Sequence, residues 1–211
     1  MTLNEIRTLL RCDLHDEDQN NYRWSDDALD RHILHAVSDL SEAVPAQQTA
    51  VISTNTGSRA LDISDITDII SICAVEYPLN MLPKRYRRFS IWKNTLTLID
   101  GGIPAGGNAC IYYEKAHTLN DSGSSIPSHL EEPVICGACG YAAIEWAAYS
   151  VNRVNIGGSG TPADFLRWGK MKIDYFRCEL KRAGRKNSIR INRLYKPYRL
   201  PVSKTSVQEP E

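Results

Sequence analysis

VICGACGYAAIEWAAYSVNRV, residues 134–154, is the stretch that decides the fold. Small residues recur on every side of it, and Gly137 and Gly140 stand within it. A glycine inside a helix costs roughly 1 kcal/mol relative to alanine, so this composition needs a compensating reason. Close approach of other backbones is such a reason. The stretch therefore predicts the central helix of a helical bundle.

Two helices are predicted before this one. Thr2 and Glu5 have the spacing of a capping box, which predicts a short first helix. Ser25 is a favourable N-cap for a second helix, and Asp26 and Asp27 suit its positive N-terminal dipole. Both segments carry apolar residues at helical spacing. The N-terminal part of the chain is therefore expected to join the bundle.

A last helix is predicted after the central one. Thr161 is expected to cap it, with Pro162 at its first position. Gly184 is expected to end it. Its helical pattern is a repeat at spacings of three and four, formed by Leu166, Gly169, Ile173, Phe176 and Leu180.

The hydrophobic period changes between these helices. From about 49 to 116, short runs rich in β-branched and aromatic residues are bounded by glycine, proline, asparagine and aspartate, which is typical of strands joined by turns. Leu96 and Leu98 alternate with Thr95, Thr97 and Ile99 as in a strand with one buried face. The predicted fold class is α+β: a helical bundle with an inserted antiparallel β subdomain and an extended C-terminal arm.

The predicted boundaries follow from these patterns. Residues 1–45 form the N-terminal helices of the bundle, and 46–118 the inserted β subdomain. Residues 119–184 form the central and C-terminal helices. Residues 185–211 form a basic C-terminal segment, called the arm from here on.

Composition and charge limit the protein class. The 211 residues are 42% hydrophobic and 24% charged, which is ordinary for a globular protein. No apolar run approaches the roughly 20 residues that span a bilayer. The N-terminus lacks the pattern of a signal peptide, so the chain is expected to be made in the cytoplasm without membrane association. The formal net charge is zero, but residues 1–45 are acidic and residues 170–211 are basic.

No catalytic or metal-binding constellation is recognisable in the sequence. Cys136 and Cys139 form a CxxC motif without the second ligand pair that a zinc site requires. Their position inside a small-residue helix favours buried packing thiols over a redox pair. His32 and His35 lie three residues apart but lack a matching carboxylate motif. We therefore expect a protein that is not an enzyme and that holds no metal or cofactor.

The arm is expected to bind another protein. Its arginines and tyrosines are residue types enriched in interfaces. Pro197 and Pro201 favour extended structure, and residues 188–193 alternate polar and apolar, which favours strand addition to a partner's sheet edge. We expect residues 185–199 to be mobile in the free subunit and to order on assembly. The candidate partner-binding residues are Arg185, Lys186, Ile189, Arg190, Ile191, Arg193, Leu194, Tyr195, Lys196, Tyr198 and Arg199.

Three blocks of sequence together resemble a known family. They are YRWSDDALDRHILHAVSDLSEAVP at 22–45, VEYPLNMLPKRYRRFSIWKNTLTLIDGGIPAGGNACIYYEKAHTL at 75–119, and IPSHLEEPVICGACGYAAIEWAAYSVNRVN at 126–155. In this order they resemble the head-to-tail adaptor (connector) proteins of tailed bacteriophages.

The resemblance implies a structural role. It implies a non-enzymatic virion protein that forms a homo-oligomeric ring, usually of twelve copies, at the neck of the particle. Such a ring binds the portal protein on the head side and tail-completion or tail-tube proteins beneath, and packaged DNA passes through its lumen.

Two other functions remain open from the residues alone. The first is a nucleic-acid-binding module that uses the basic arm, whose affinity would fall steeply with salt. The second is a thiol oxidoreductase built on Cys136 and Cys139, which would require a thiol with a depressed pKa.

Overall fold

The computed structural model describes residues 1–150 and 162–195, and these form an α+β fold as predicted. The described helices are α1 (Leu3–Asp13), α2 (Asp26–Ala43), α3 (Ser128–Ser150) and α4 (Pro162–Tyr195). The strands are β1 (Ala46–Ser53), β2 (Ala60–Asp62), β3 (Ile69–Glu76), β4 (Tyr86–Arg87), β5 (Phe89–Trp92), β6 (Thr95–Leu98), β7 (Asn108–Lys115), β8 (Leu119–Asn120) and β9 (Gly123–Ser124). Each strand pairing is antiparallel, and the strands lie between α2 and α3 in the chain.

The predicted caps of the first two helices are confirmed. Thr2 and Glu5 form a capping box, in which the Thr2 backbone N–H donates to Glu5 Oε2 at 2.8 Å. The backbone N–H of Ala28 donates to Ser25 Oγ at 3.2 Å at the start of α2. These bonds satisfy N–H groups that have no partner inside the helix.

The small residues of α3 allow α4 to pack closely on it, as the glycine content predicted. A Cβ on Gly137 would stand 2.6 Å from Cδ1 of Phe176, a fully buried side chain of α4. Phe176 is part of a core to which all four described helices contribute, together with Leu119 and Ile126 from the segment before α3.

The predicted end of the last helix at Gly184 is wrong, because α4 continues to Tyr195. Gly184 lies where α4 passes the end of α2, and a Cβ there would stand 3.0 Å from the carbonyl oxygen of Ala43. This glycine permits a close helix contact and does not act as a cap. Residues 185–195, expected as extended structure, are therefore helical. Thr161 and residues 196–211 lie outside the described residues.

The β subdomain is built from two main sheets over a shared core. One sheet has the strand order β1-β7-β3-β4 and the other β2-β6-β5, while β8 and β9 form a short ribbon. The shared core includes Val75 and Ile111 from the first sheet and Leu61, Leu96 and Leu98 from the second. Residues 87–99 thus contain strands and a hairpin, as predicted from their alternation.

One end of the subdomain is attached to the bundle and the other is distal. Ala46 pairs with Lys115 at the attached end, and Ser53 pairs with Asn108 at the distal end. Eight paired residues at about 3.3 Å each separate these ends by roughly 23 Å. His117 fastens the attached end: its backbone N–H donates to Ser41 Oγ, and its Nε2 donates to the Val44 carbonyl, both at 2.9 Å.

The loop before α2 is organised by a buried arginine. Arg11 Nη1 donates to Asp16 Oδ2 at 2.6 Å, and Arg11 Nη2 donates to Asp26 Oδ1 at 2.6 Å and to the Trp24 carbonyl at 3.0 Å. Its guanidinium also lies 3.6 Å from the centre of the Tyr22 ring. The guanidinium of Arg11 holds the pKa of the Asp26 carboxyl below its ordinary value.

No helix in the described part of the chain has the length and apolar character needed to cross a membrane.

Candidate partner-binding surface

The exposed residues at the end of α4 form the first part of the candidate surface. Arg185, Lys186 and Ile189 are exposed, and 54% of the Ile189 surface is accessible. Ile191 is half-buried. The structure thus brings four of the predicted partner-binding residues together on about two turns of one helix.

The other predicted partner-binding residues divide in two. The backbone of the first group continues α4, namely Arg190, Arg193, Leu194 and Tyr195. The second group lies outside the described residues, namely Lys196, Tyr198 and Arg199.

The end of α4 is held against the sheet by Asn187, which the sequence interpretation missed. Asn187 is only 7% exposed. Its Nδ2 donates to Glu114 Oε1 at 3.1 Å, and its Oδ1 accepts from Gln47 Nε2 at 3.0 Å. Ser71 Oγ donates to the other carboxylate oxygen of Glu114 at 2.7 Å. This network joins α4 to β1, β7 and β3 by side-chain hydrogen bonds in a partly buried interface.

A signal for this docking was present in the sequence. Leu180, Asn187 and Ile191 are seven and four residues apart, so they continue the buried side of α4 beyond Gly184. Because asparagine is polar, a pattern of hydrophobic residues does not show that the buried side of α4 continues through Asn187. The partners Gln47 and Glu114 lie far away in the chain.

A cavity separates the last described turn of α4 from the sheet surface. Its volume is about 390 Å³, and it is lined by Gln47, Gln48, Thr49, Cys73, Tyr112, Tyr113 and Ile191. Amide, hydroxyl and aromatic groups thus surround it. This lining can accept a polar or aromatic side chain of a partner.

The second part of the candidate surface lies at the distal end of the β subdomain. Three loops meet there, at residues 54–58, 77–85 and 99–107, and are called the distal loops. They carry apolar side chains that are largely solvent-exposed: Leu82 is 92% accessible, and Ile103 is 59% accessible. Met81 and Ile99 are also exposed. Exposed apolar groups that cluster at one end of a molecule are typical of a binding surface.

A buried carboxylate fixes one of the distal loops. Glu76, at the end of β3, is buried and accepts a hydrogen bond from the Tyr112 hydroxyl at 2.8 Å. Its Oε2 also lies 3.1 Å from Lys84 Nζ, which donates to the Tyr112 hydroxyl at 2.6 Å. Burial opposes ionisation of Glu76, but the Tyr112 and Lys84 bonds outweigh it and lower the pKa of the carboxyl. The hydrogen bond to Tyr112 and the pairing with Glu76 raise the pKa of Lys84.

The CxxC cysteines are buried in the bundle and carry free thiols. Burial raises the pKa of both thiols, and the carboxylate of Asp13 raises that of Cys139 further. Lys172 Nζ lies 3.9 Å from Cys136 Sγ and 3.6 Å from Asp13 Oδ2. A thiol held in its protonated form is a poor nucleophile. These surroundings support the expectation of packing thiols.

The two histidines of α2 have separate environments. His32 is buried beside the carboxylate of Glu145, and burial lowers the pKa of its ring. His35 is stacked on Tyr141 with 4.2 Å between ring centres. In residues 1–150 and 162–195, no group of three or more His, Cys, Asp or Glu side chains is arranged to hold a metal ion.

Comparison with known proteins adds no relative: no protein-family model matches the chain, and no curated protein matches it significantly. The resemblance to phage adaptors therefore rests on the three sequence blocks at 22–45, 75–119 and 126–155.

Proposed function

We propose that this chain is the subunit of a ring-shaped head-to-tail adaptor of a tailed bacteriophage. In this proposal about twelve copies form a ring at the neck of the virion, a number that the family resemblance supplies. The ring binds the portal protein on one side and tail-completion or tail-tube proteins on the other. Packaged DNA passes through its lumen, and the chain itself performs no catalysis.

The observation that carries the proposal is the presence of two separated, exposed surfaces on one subunit. One is the end of α4, where Arg185, Lys186 and Ile189 are exposed. The other is formed by the distal loops with Leu82 and Ile103. An adaptor needs two such surfaces because it holds two different partners at once.

The resemblance supports the proposal across both parts of the fold. Its first block forms α2 and its third block forms α3, two helices that share the core of the bundle. Its second block runs from the end of β3 through β7 and includes two of the distal loops. The similarity therefore concerns the core of the bundle and the projecting surface alike.

We assign the portal-binding role to the end of α4. Arginine and large apolar residues are frequent anchors in interfaces. Because Asn187 already holds these turns against the sheet, Arg185, Lys186 and Ile189 sit on a preformed helix. A preformed helix loses less conformational entropy on binding than an unfolded segment does. This modifies the expectation that residues 185–195 order only on assembly.

The test is binding of the purified chain to the portal ring of the same phage, followed by negative-stain imaging and sedimentation. The informative variant is Arg185→Ala/Lys186→Ala/Ile189→Ala, which leaves Asn187 in place. Ser188→Ala, exposed on the same turn, is the matched control. The triple variant should fold but bind the portal at least ten-fold more weakly, and heads made with it should lack tails.

Two results would count against the proposal at different levels. If the triple variant binds the portal as well as Ser188→Ala does, the assignment of α4 is wrong. If the unmodified chain binds neither the portal nor any tail protein of the same phage, the adaptor proposal itself is wrong.

A further inference from the structure

We infer that an exposed side of α4 is a binding surface for the phosphate backbone of a nucleic acid duplex. Four residues form it, Lys170, Arg177, Lys181 and Arg185, called here the cation row. All four are exposed. Spacings of seven, four and four residues place them on one side of the helix. At 1.5 Å per residue the row is about 22 Å long.

The charge of this row is not neutralised within the described part of the protein. Two neighbouring arginines are paired within α4: Arg167 lies 2.9 Å from Asp164, and Arg182 lies 2.8 Å from Glu179. Among the described residues, no carboxylate lies within ion-pair distance of any member of the cation row. The row therefore presents free positive charge to solvent.

One acid, Asp174, is also exposed on this side of α4. It lies four residues after Lys170 and three before Arg177, close to the middle of the row. A bound polyanion would be repelled by it. This arrangement makes Asp174 a test of the inference, because removing its charge should strengthen the binding of an anion.

A lipid surface is a poorer fit for this face than a duplex. Helices that bind membranes insert their apolar side into the lipid. In α4 the side that carries Ile173, Phe176 and Leu180 is buried in the bundle. The exposed Met171 and Tyr175 lie on a different side of the helix from the cation row. A protein partner is a poorer fit for Lys170 and Lys181, because lysine is depleted in protein interfaces.

The spacing of the row suits a repeating polyanion. Phosphates of one strand of a duplex follow each other every 3.4 Å of helix axis, so a row of about 22 Å faces roughly six of them. Lysine and arginine side chains are long enough to reach phosphates that do not lie directly opposite them. The cation row would contact phosphates and not base edges, so the binding should be independent of the nucleotide sequence.

The experiment measures binding of the full chain to a labelled 30-base-pair duplex of mixed sequence, by fluorescence anisotropy between 50 and 200 mM NaCl. The test variant is Lys170→Gln/Arg177→Gln/Lys181→Gln, which leaves Arg185 unchanged. The control is Arg85→Gln/Arg88→Gln/Lys93→Gln, which removes the same charge from exposed positions of the β subdomain.

The salt dependence gives the expected size of the effect. Each phosphate contact contributes about 0.9 to the slope of log K against log salt concentration, so loss of three contacts should reduce the slope by about 3. The control should retain the slope of the unmodified chain. Asp174→Asn should bind more tightly, by up to about five-fold, since one charge pair at 4 Å in water is worth about 1 kcal/mol.

Three results would overturn the inference. The first is absence of duplex binding by the unmodified chain at 50 mM NaCl. The second is an equal loss of slope in the control, which would show dependence on total charge only. The third is binding of poly-L-glutamate as tight as that of the duplex at equal charge concentration, which would identify an acidic protein as the partner.

The inference goes beyond the adaptor proposal and stands without it. A chain that binds the duplex through the cation row but binds neither the portal nor a tail protein would refute the adaptor and leave this surface assigned. A chain that binds the portal but not the duplex would support the adaptor and refute the cation row as a duplex-binding surface. The test variant keeps Arg185. Measuring its binding to the portal therefore distinguishes loss of the duplex-binding surface from loss of the portal-binding surface.

Discussion

Gly140 of α3 and Gly169 of α4 face each other across a close contact between the two helix backbones. A Cβ on Gly140 would stand 2.9 Å from the carbonyl oxygen of Gly169, and a Cβ on Gly169 would stand 3.0 Å from that of Gly140. Neither residue has a positive φ, so backbone freedom is not the reason for glycine here. The reason is the close approach of the two helix backbones.

Gly140→Ala should therefore destabilise the protein. Helix propensity alone would favour alanine by about 1 kcal/mol, but the new methyl would also meet Ile173 Cγ1 at 2.5 Å. We expect a net loss of at least about 1 kcal/mol in the free energy of unfolding, as for overpacked cores. Urea denaturation measures it. Gly102→Ala, where a Cβ meets no atom within 4 Å, is the control, and equal stability of the two variants would contradict the packing argument.

Asn187→Ala should loosen the end of α4. The substitution removes the Asn187 donor from the buried Glu114 carboxylate, which keeps its bond from Ser71, and it removes the Asn187 acceptor from Gln47. Loss of a hydrogen-bond donor to a buried carboxylate costs about 1–3 kcal/mol. Hydrogen exchange of residues 180–191 should become faster, with little change in Ser188→Ala. Unchanged exchange in the Asn187 variant would show that the network does not hold the helix.

The double variant Cys136→Ala/Cys139→Ala should fold and should retain binding to portal rings. Loss of each buried sulfur should reduce the free energy of unfolding by about 1 kcal/mol. Both measurements are needed, since stability reports the packing role and binding reports the function. A double variant of normal stability that had lost all function would contradict the role of packing thiols.

The Glu76 carboxyl should make the protein sensitive to acid. Its pKa is lowered in the folded state from an ordinary value of 4.5, so the unfolded chain takes up the proton first as the pH falls. The stability it contributes is complete above the ordinary value and is lost as the pH falls through the lowered one. The unfolding free energy of the unmodified protein minus that of Glu76→Gln should therefore shrink between about pH 5 and pH 3. A pH-independent difference would exclude this linkage.

The double variant Leu82→Ser/Ile103→Ser should lose binding of the tail-side partner while keeping the stability of the fold. Both side chains are largely exposed, so their loss should change the free energy of unfolding by no more than about 0.5 kcal/mol each. We expect capture of the partner on the tail side to fall at least ten-fold in pull-down experiments with neck proteins. Ile70→Ser, exposed on β3 near the attached end of the subdomain, is the control. Equal capture by both variants would remove the distal loops from the proposed interface.

The local features of this fold were predictable from short stretches of sequence. The caps at Thr2 and Ser25 depend on residues three apart, and the strand hairpin at 89–98 depends on an alternation of side chains along the chain. The glycines of residues 134–154 predicted a close helix contact because helix propensity disfavours them without one. Each of these inferences uses interactions within one element or its immediate neighbour.

The end of α4 was decided by tertiary structure. Gly184 has the appearance of a helix stop in sequence, yet its small size serves the passage of α4 beside Ala43. The alternation at 188–193 suggested a strand, but Asn187 and Ile191 are both used by a helix that docks on the sheet. The partners Gln47 and Glu114 lie 140 and 73 residues away. Contacts at such separations select among conformations that the local sequence permits, and they exist only once the bundle and the sheet have come together.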